Sequence, residues 1–101
     1  MGNERRLELS EVLHGFCEHV YFQPPSSVSL EYPCIIYEKG RKEKMYADNR
    51  MFKMRQVYDL TYITRNPDDD VPDRILELDF CSFNRSFVFD NLYHVSYQLY
   101  F

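Results

Sequence analysis

The sequence predicts an α+β domain: a largely antiparallel sheet of about five strands, with an N-terminal helix and a second helix before a closing hairpin. Three observations predict it. Apolar residues near the N-terminus recur at helical spacing, residues 83–101 alternate with period two, and nine Tyr and eight Phe among 101 residues suit half-buried pleated surfaces. With 45% hydrophobic residues the chain lies outside the disordered class. Its length suits one domain, residues 1–101, with one modest core, since a chain this short buries roughly two-thirds of its unfolded surface. Neither an internal repeat nor an interdomain linker interrupts it.

Leu9, Val12, Leu13 and Phe16 fall at i, i+3, i+4 and i+7, which predicts an amphipathic helix over 5–17 whose last turn Gly15 weakens. Residues 23–27, with Pro24 and Pro25 in tandem, cannot continue it and form a spacer or turn. Residues 32–37 read as a first strand, with Pro33 tolerable at its beginning and Ile35 and Ile36 on opposite faces. Residues 38–42 supply a turn in which Gly40 takes a positive φ, and 43–52 return as a second strand interrupted at Asp48 and Asn49 by a bulge or an excursion away from the sheet. Residues 54–64 form a third strand. It is apolar on both faces, Tyr58, Leu60 and Tyr62 against Val57, Thr61 and Ile63, as expected of a central strand covered on each side.

After a turn at 65–68, Asp70 is the expected N-cap of a helix over 71–79, with Asp73 in a carboxylate version of the capping box and Pro72 in the first turn. The final hairpin sets Phe83, Phe87 and Phe89 against Asn84, Ser86 and Val88, turns at Asp90 and Asn91, and returns with Tyr93, Val95, Tyr97, Leu99 and Phe101 facing the core.

Charge is distributed unevenly. The formal net charge is −4, which argues against general nucleic-acid affinity. Yet residues 39–55 hold Lys39, Arg41, Lys42, Lys44, Arg50, Lys53 and Arg55 against only Glu43 and Asp48, interleaved with Tyr46 and Phe52. Residues 59–90 are acidic by a similar margin, with Asp68, Asp69, Asp70 and Asp73 clustered. Opposed poles of this kind suit head-to-tail association of identical subunits. Aromatic residues among basic ones also suit stacking on single-stranded nucleic acid, a second use for the same stretch.

No phosphate-cradling glycine loop, nucleophile elbow or metal-ligand array is present, so neither catalysis nor a cofactor is expected. Cys17, Cys34 and Cys81 are an odd number without a CxxC pair, as for buried free thiols in a reducing compartment. His14, Cys17 and His19 straddle the expected helix end and lack a fourth ligand for zinc. The aspartate run lacks the Gly and terminal Glu of an EF-hand. His94 with Cys34 or Cys81 makes a thiol and base only if the fold joins them. A carboxylate pair drawn from Glu77, Asp79 and Asp90 has no supporting signature. The N-terminal residues contain no continuous apolar run, so neither a signal peptide nor a membrane span is expected.

Several phrases carry a family likeness: residues 20–25 (VYFQPP), 32–37 (YPCIIY), 47–49 (ADN), 58–68 (YDLTYITRNPD) and 90–94 (DNLYH). In this order they resemble the small tail-completion, or tail-terminator-like, proteins of long-tailed phages and of prophages in Gram-positive bacteria, over about residues 9–101. The resemblance implies a lambda-type terminator fold with the same order of helices and strands. It also implies a structural role in virion assembly: a hexameric ring that caps the tail tube and offers a surface to the head. Its partners are then further copies of itself, the tail-tube protein and a head-tail connector or head-closure protein, with a passing contact to viral DNA and none to membrane. Its place is the neck or tail of the virion, reached from the host cytoplasm during assembly. The stretch 39–53 matches the family's hairpin between its first strands, so Lys39, Arg41, Lys42, Lys44, Tyr46, Arg50, Phe52 and Lys53 are the expected contact residues and Asp68, Asp69, Asp70 and Asp73 the acidic counter-surface. The chain is short for a terminator. A head-closure or other joining role, or a small nucleic-acid-binding role, therefore stays open.

Overall fold

Two helices pack on a five-stranded mixed sheet, an α+β arrangement with one helix at the N-terminus and one before the final strands. The computed structural model describes the backbone of residues 2–47, 50–79 and 81–101, but not the side chains of residues 2–4, 43, 45–47 and 50–55. The elements are α1 (Gly2–His14), β1 (His19–Phe22), β2 (Cys34–Ala47), β3 (Arg50–Thr64), α2 (Val71–Leu76), β4 (Cys81–Phe89) and β5 (Leu92–Tyr100). Strand order is β1-β2-β3-β5-β4, and only the β1–β2 pair is parallel.

Helix α1 begins and ends earlier than its apolar spacing predicts. Its last turn closes at Gly15, where the amides of Gly15 and Phe16 bond the carbonyls of Val12 and Leu13. Leu9 and Leu13 are fully buried, while Val12 lies at the exposed rim. Strand β1 was not expected, because four residues are too short to display alternation. Its register with β2 pairs His19 with Cys34 and Phe22 with Tyr37.

The predicted turn at 38–42 is a correction. Strand β2 runs straight through it, and Gly40 has no positive φ. Pairing with β3 slips between Lys39 and Lys42, a bulge, and the hairpin closes instead where Ala47 pairs with Arg50. Gly40 sits where neighbours come close: a Cβ there would lie 2.7 Å from Asp59 Oδ2, a side chain that can swing away, and 3.2 Å from the Val57 carbonyl, a tight contact with backbone. Asp48 and Asn49, the expected interruption, lie outside the described residues.

Strand β3 is central, as its two apolar faces imply. Covering by helices, however, is one-sided. Leu9, Leu13 and Ile75 from the helices join Ile35, Tyr37, Tyr58, Leu60, Tyr62, Tyr97 and Leu99 in one core cluster. On the other face Val57 and Ile63 are buried, but Asp59 and Thr61 are only half-buried. Ile35 and Ile36 divide as predicted, one in the core and one on the open face.

Helix α2 is shorter than expected, and its cap differs. Asp70 occupies the N-cap position with helical backbone angles and makes no side-chain cap bond. Asp69 does so instead: its Oδ1 accepts the Val71 amide at 3.0 Å.

The β4–β5 hairpin turns at Asp90 and Asn91, both at positive φ (54° and 61°), as a two-residue turn between right-twisted strands needs. A further register shift, between Phe83 and Arg85, breaks the expected single face of phenylalanines. Because antiparallel partners share a face, Phe83 sits opposite Tyr97 on the helix side, whereas Phe87 and Phe89 sit opposite His94 and Leu92 on the open side. Phe101 packs against the core cluster, and its amide bonds the Gln56 carbonyl.

Candidate assembly surfaces

Strand β3 carries the two charge poles to its two ends. Only residues 57–64 of β3 pair with β5, and only residues 34–37 of β2 pair with β1. Beyond them the two strands continue as a ribbon of about eight residues each, about 25 Å long at the usual strand rise. The molecule measures 50 × 25 × 22 Å, and the fifteen residues of β3, arm included, span about 50 Å at the usual strand rise. At its root Gln56 Nε2 lies 3.2, 3.4 and 2.9 Å from the carbonyls of Gly40, Arg41 and Val57, tying the bulge to the central strand.

Lys39, Arg41, Lys42 and Lys44 are all exposed on this arm. The side chains of Tyr46, Arg50, Phe52 and Lys53 lie outside the described residues; the backbones of Tyr46, Arg50 and Lys53 pair across the ribbon, and Phe52 falls at a register shift opposite Met45 and Tyr46. The arm therefore gathers the basic residues into one projecting element, on a strand pair rather than a short loop.

The acidic residues follow the opposite end of β3, directly after Thr64. Asp68, Asp70 and Asp73 are exposed. Asp69 is turned inward: its Oδ2 accepts the Tyr62 hydroxyl at 2.6 Å and the Thr64 hydroxyl at 3.0 Å. Desolvation pushes its carboxyl up, but the bonds from Tyr62, the Val71 amide and Thr64 outweigh this and hold it below the ordinary carboxylate range. Tyr62 is pushed the other way, by burial first and then by its bond to the carboxylate, so its hydroxyl remains the donor. Asp69 thus locks the β3–α2 junction, leaving Asp68, Asp70 and Asp73 as the accessible charges.

Sequence reasoning missed the most exposed apolar element among the described residues. Strand β4 is an edge of the sheet. After Cys81 every residue in it is exposed, including Phe83 at 53%, Phe87 at 39%, Val88 at 60% and Phe89 at 70%. Alternation predicted one buried face here, but a face is buried only if something covers it: Phe87 and Phe89 lie on the side away from the helices, and α2 leaves a cleft beside Val88. What remains between the loop after β3 and the β4–β5 hairpin is a cleft of about 500 Å³, bounded by Asp69 and Asp73 on one side and Ser86 and Val88 on the other.

The groups considered for chemistry do not converge. The Cys17 thiol lies against the carbonyls of Pro33 and His19, His14 bonds its own helix at Ser10, and His19 meets Glu31 at 3.3 Å. Among the described residues no three His, Cys, Asp or Glu side chains gather as metal ligands. Cys34 and His94 share a row of the sheet with Ile63 between them, about 10 Å apart by strand spacing. Cys81 pairs with Leu99, at the other end of β5 from His94. Burial pushes the Cys34 thiol up to about 11 and raises Cys17 and Cys81, so all three are poor nucleophiles near neutral pH. His94 stacks on Phe87 at 4.7 Å. Glu77 and Asp79 follow α2, whereas Asp90 is at the hairpin tip. No family model matches the chain, and no curated protein is significantly similar to it.

Proposed function

We propose that this chain is a non-enzymatic structural protein of virion assembly: a ring-forming component of a long-tailed phage neck or tail that caps the tail tube and joins it to the head. The observation that carries this reading is the separation of poles, a basic two-stranded arm at one end of β3 and exposed aspartates beyond the other. A subunit of this kind has a projecting basic element and a distant acidic one, and identical copies can meet arm to body. The resemblance of the sequence to tail-completion proteins supplies the biological setting and the hexameric ring. It also supplies the tail tube and the head-tail connector as partners.

Mixing purified protein with tail-tube protein and following mass by light scattering tests the reading. A complex with the tube protein that ends tube growth is the expected result. Binding to connector but not to tube would reassign the chain to head closure. A salt-dependent shift of DNA that disappears in K42E/K44E, with neither tube nor connector bound, would overturn the reading in favour of nucleic-acid binding.

A further inference from the structure

We infer that the free edge of β4 is the docking site for the β2–β3 arm of a second copy of this chain, which lies along it as an added strand. The inference rests on the assembly reading above and deepens it by naming the receiving surface.

Three observations meet at β4. First, it is a nine-residue edge strand with four large apolar side chains exposed. Exposed edges are usually shortened or protected by Lys or Pro, because their unpaired backbone groups recruit other strands. Here the only charge is Arg85, whose guanidinium lies 5.0 Å from the Phe87 ring centroid. Second, the arm is a ribbon whose strands, among the described residues, find no third partner beyond the sheet. A lone two-stranded ribbon is marginal in water, and its length of about eight residues per strand matches β4. Third, the cleft beside Val88 is walled by Asp73, with Asp68 and Asp70 exposed on the adjoining loop. Residues 39–55 carry a net charge of +5 by sequence, with Tyr46 and Phe52 among them. Charge and apolar surface are therefore both complementary.

The contact cannot form within one molecule. The exposed end of β4, Val88 and Phe89, pairs with Tyr93 and Leu92, beside Thr64. The arm leaves the sheet at the other end of β3, about 25 Å away, pointing outward. The two surfaces meet only between copies. Because they are different surfaces, the contact is heterologous, and its repetition produces a closed ring or an open filament. Pairing of β4 with another β4 would instead set the two Arg85 side chains near one another and leave both arms without a third strand.

The test uses sedimentation velocity on the full chain with two variants, K42E/K44E in the arm and V88K/F89K on the edge. All four side chains are exposed, and far-UV circular dichroism checks that each variant folds. Wild type should assemble beyond a dimer, and each variant alone should weaken association roughly tenfold or more. An equimolar mixture of the two variants should give a 1:1 heterodimer and stop, because one intact arm meets one intact edge. Should V88K/F89K fail to fold, F89K and the charge exchange K42E/K44E with D70K/D73K provide the same comparison.

Normal assembly by the edge variant overturns the inference. So does dimerisation of the arm variant through its intact β4, or a mixture without heterodimer. A wild type that stays monomeric at about 100 μM also overturns it, since a micromolar contact is populated there. Tube binding then decides separately whether the assembly reading stands.

Discussion

Asp69→Ala should destabilise the monomer by about 3 kcal/mol, although the residue stands in a run of three aspartates that looks interchangeable. Its carboxylate accepts three bonds: 2.6 Å from Tyr62, 3.0 Å from Thr64 and 3.0 Å from the Val71 amide. Bonds to a charged acceptor contribute about 1.5–3 kcal/mol each in mutational series, and desolvation of the carboxylate offsets part of that sum. Removing it also strands the hydroxyl of Tyr62, a residue only 1% exposed. For a domain of this size the loss corresponds to a fall in Tm of roughly 12–24 °C. Asp69→Asn keeps one acceptor oxygen and should lose about half as much. The folded carboxyl titrates below the unfolded one, so its contribution is complete above about pH 4 and is lost as pH falls through the folded value. Urea unfolding at several pH values measures both effects. A D69A cost below about 0.5 kcal/mol, or a D69N acid limb parallel to that of wild type, would refute the junction described here; D70A serves as the near-neutral control.

Gln56→Leu should cost the monomer about 1–2 kcal/mol by freeing the carbonyls at the arm root, and hydrogen exchange should rise at residues 40–42 while the β3–β5 ladder stays protected; uniform protection would show the clamp to be idle. At the hairpin, Asn91→Gly should be neutral or stabilising by a few tenths of a kcal/mol, whereas Asn91→Val, forced to φ 61°, should cost about 1–2 kcal/mol in thermal unfolding.

Signals confined to one element survived the step from sequence to structure. The β4–β5 turn was legible because Asp and Asn tolerate positive φ, and the α1 stripe because Leu9 and Leu13 face one way. The signals that failed depended on neighbours. Gly40 looked like a turn because glycine permits one, but it lies within a strand, close to the Val57 carbonyl and Asp59, an approach that only pairing with β3 creates. Asp70 looked like the cap because capping is usually local; Asp69 caps because Tyr62 and Thr64 fix its carboxylate from β3. The phenylalanines of β4 read as one face because period-two counting cannot register a bulge. The poles themselves were visible as composition, yet their placement at opposite ends of one strand was not.

That placement bears on the proposed assembly. A head-to-tail contact closes into a ring only when the rotation between neighbours is the same at each step, and so the arm must leave the body at a fixed angle. Strand β3 supplies the frame: it runs continuously from the arm into the core, with Val57, Tyr58, Leu60, Tyr62 and Ile63 buried. Gln56 ties the bulge at the arm root to that strand, while Asp69 ties the acidic loop to its far end through Tyr62 and Thr64. Both surfaces are thus referred to one rigid element. Rotation per subunit is then a property of the monomer, and changes at Gln56 or Asp69 reach the geometry of assembly while leaving the exposed charges of both poles in place.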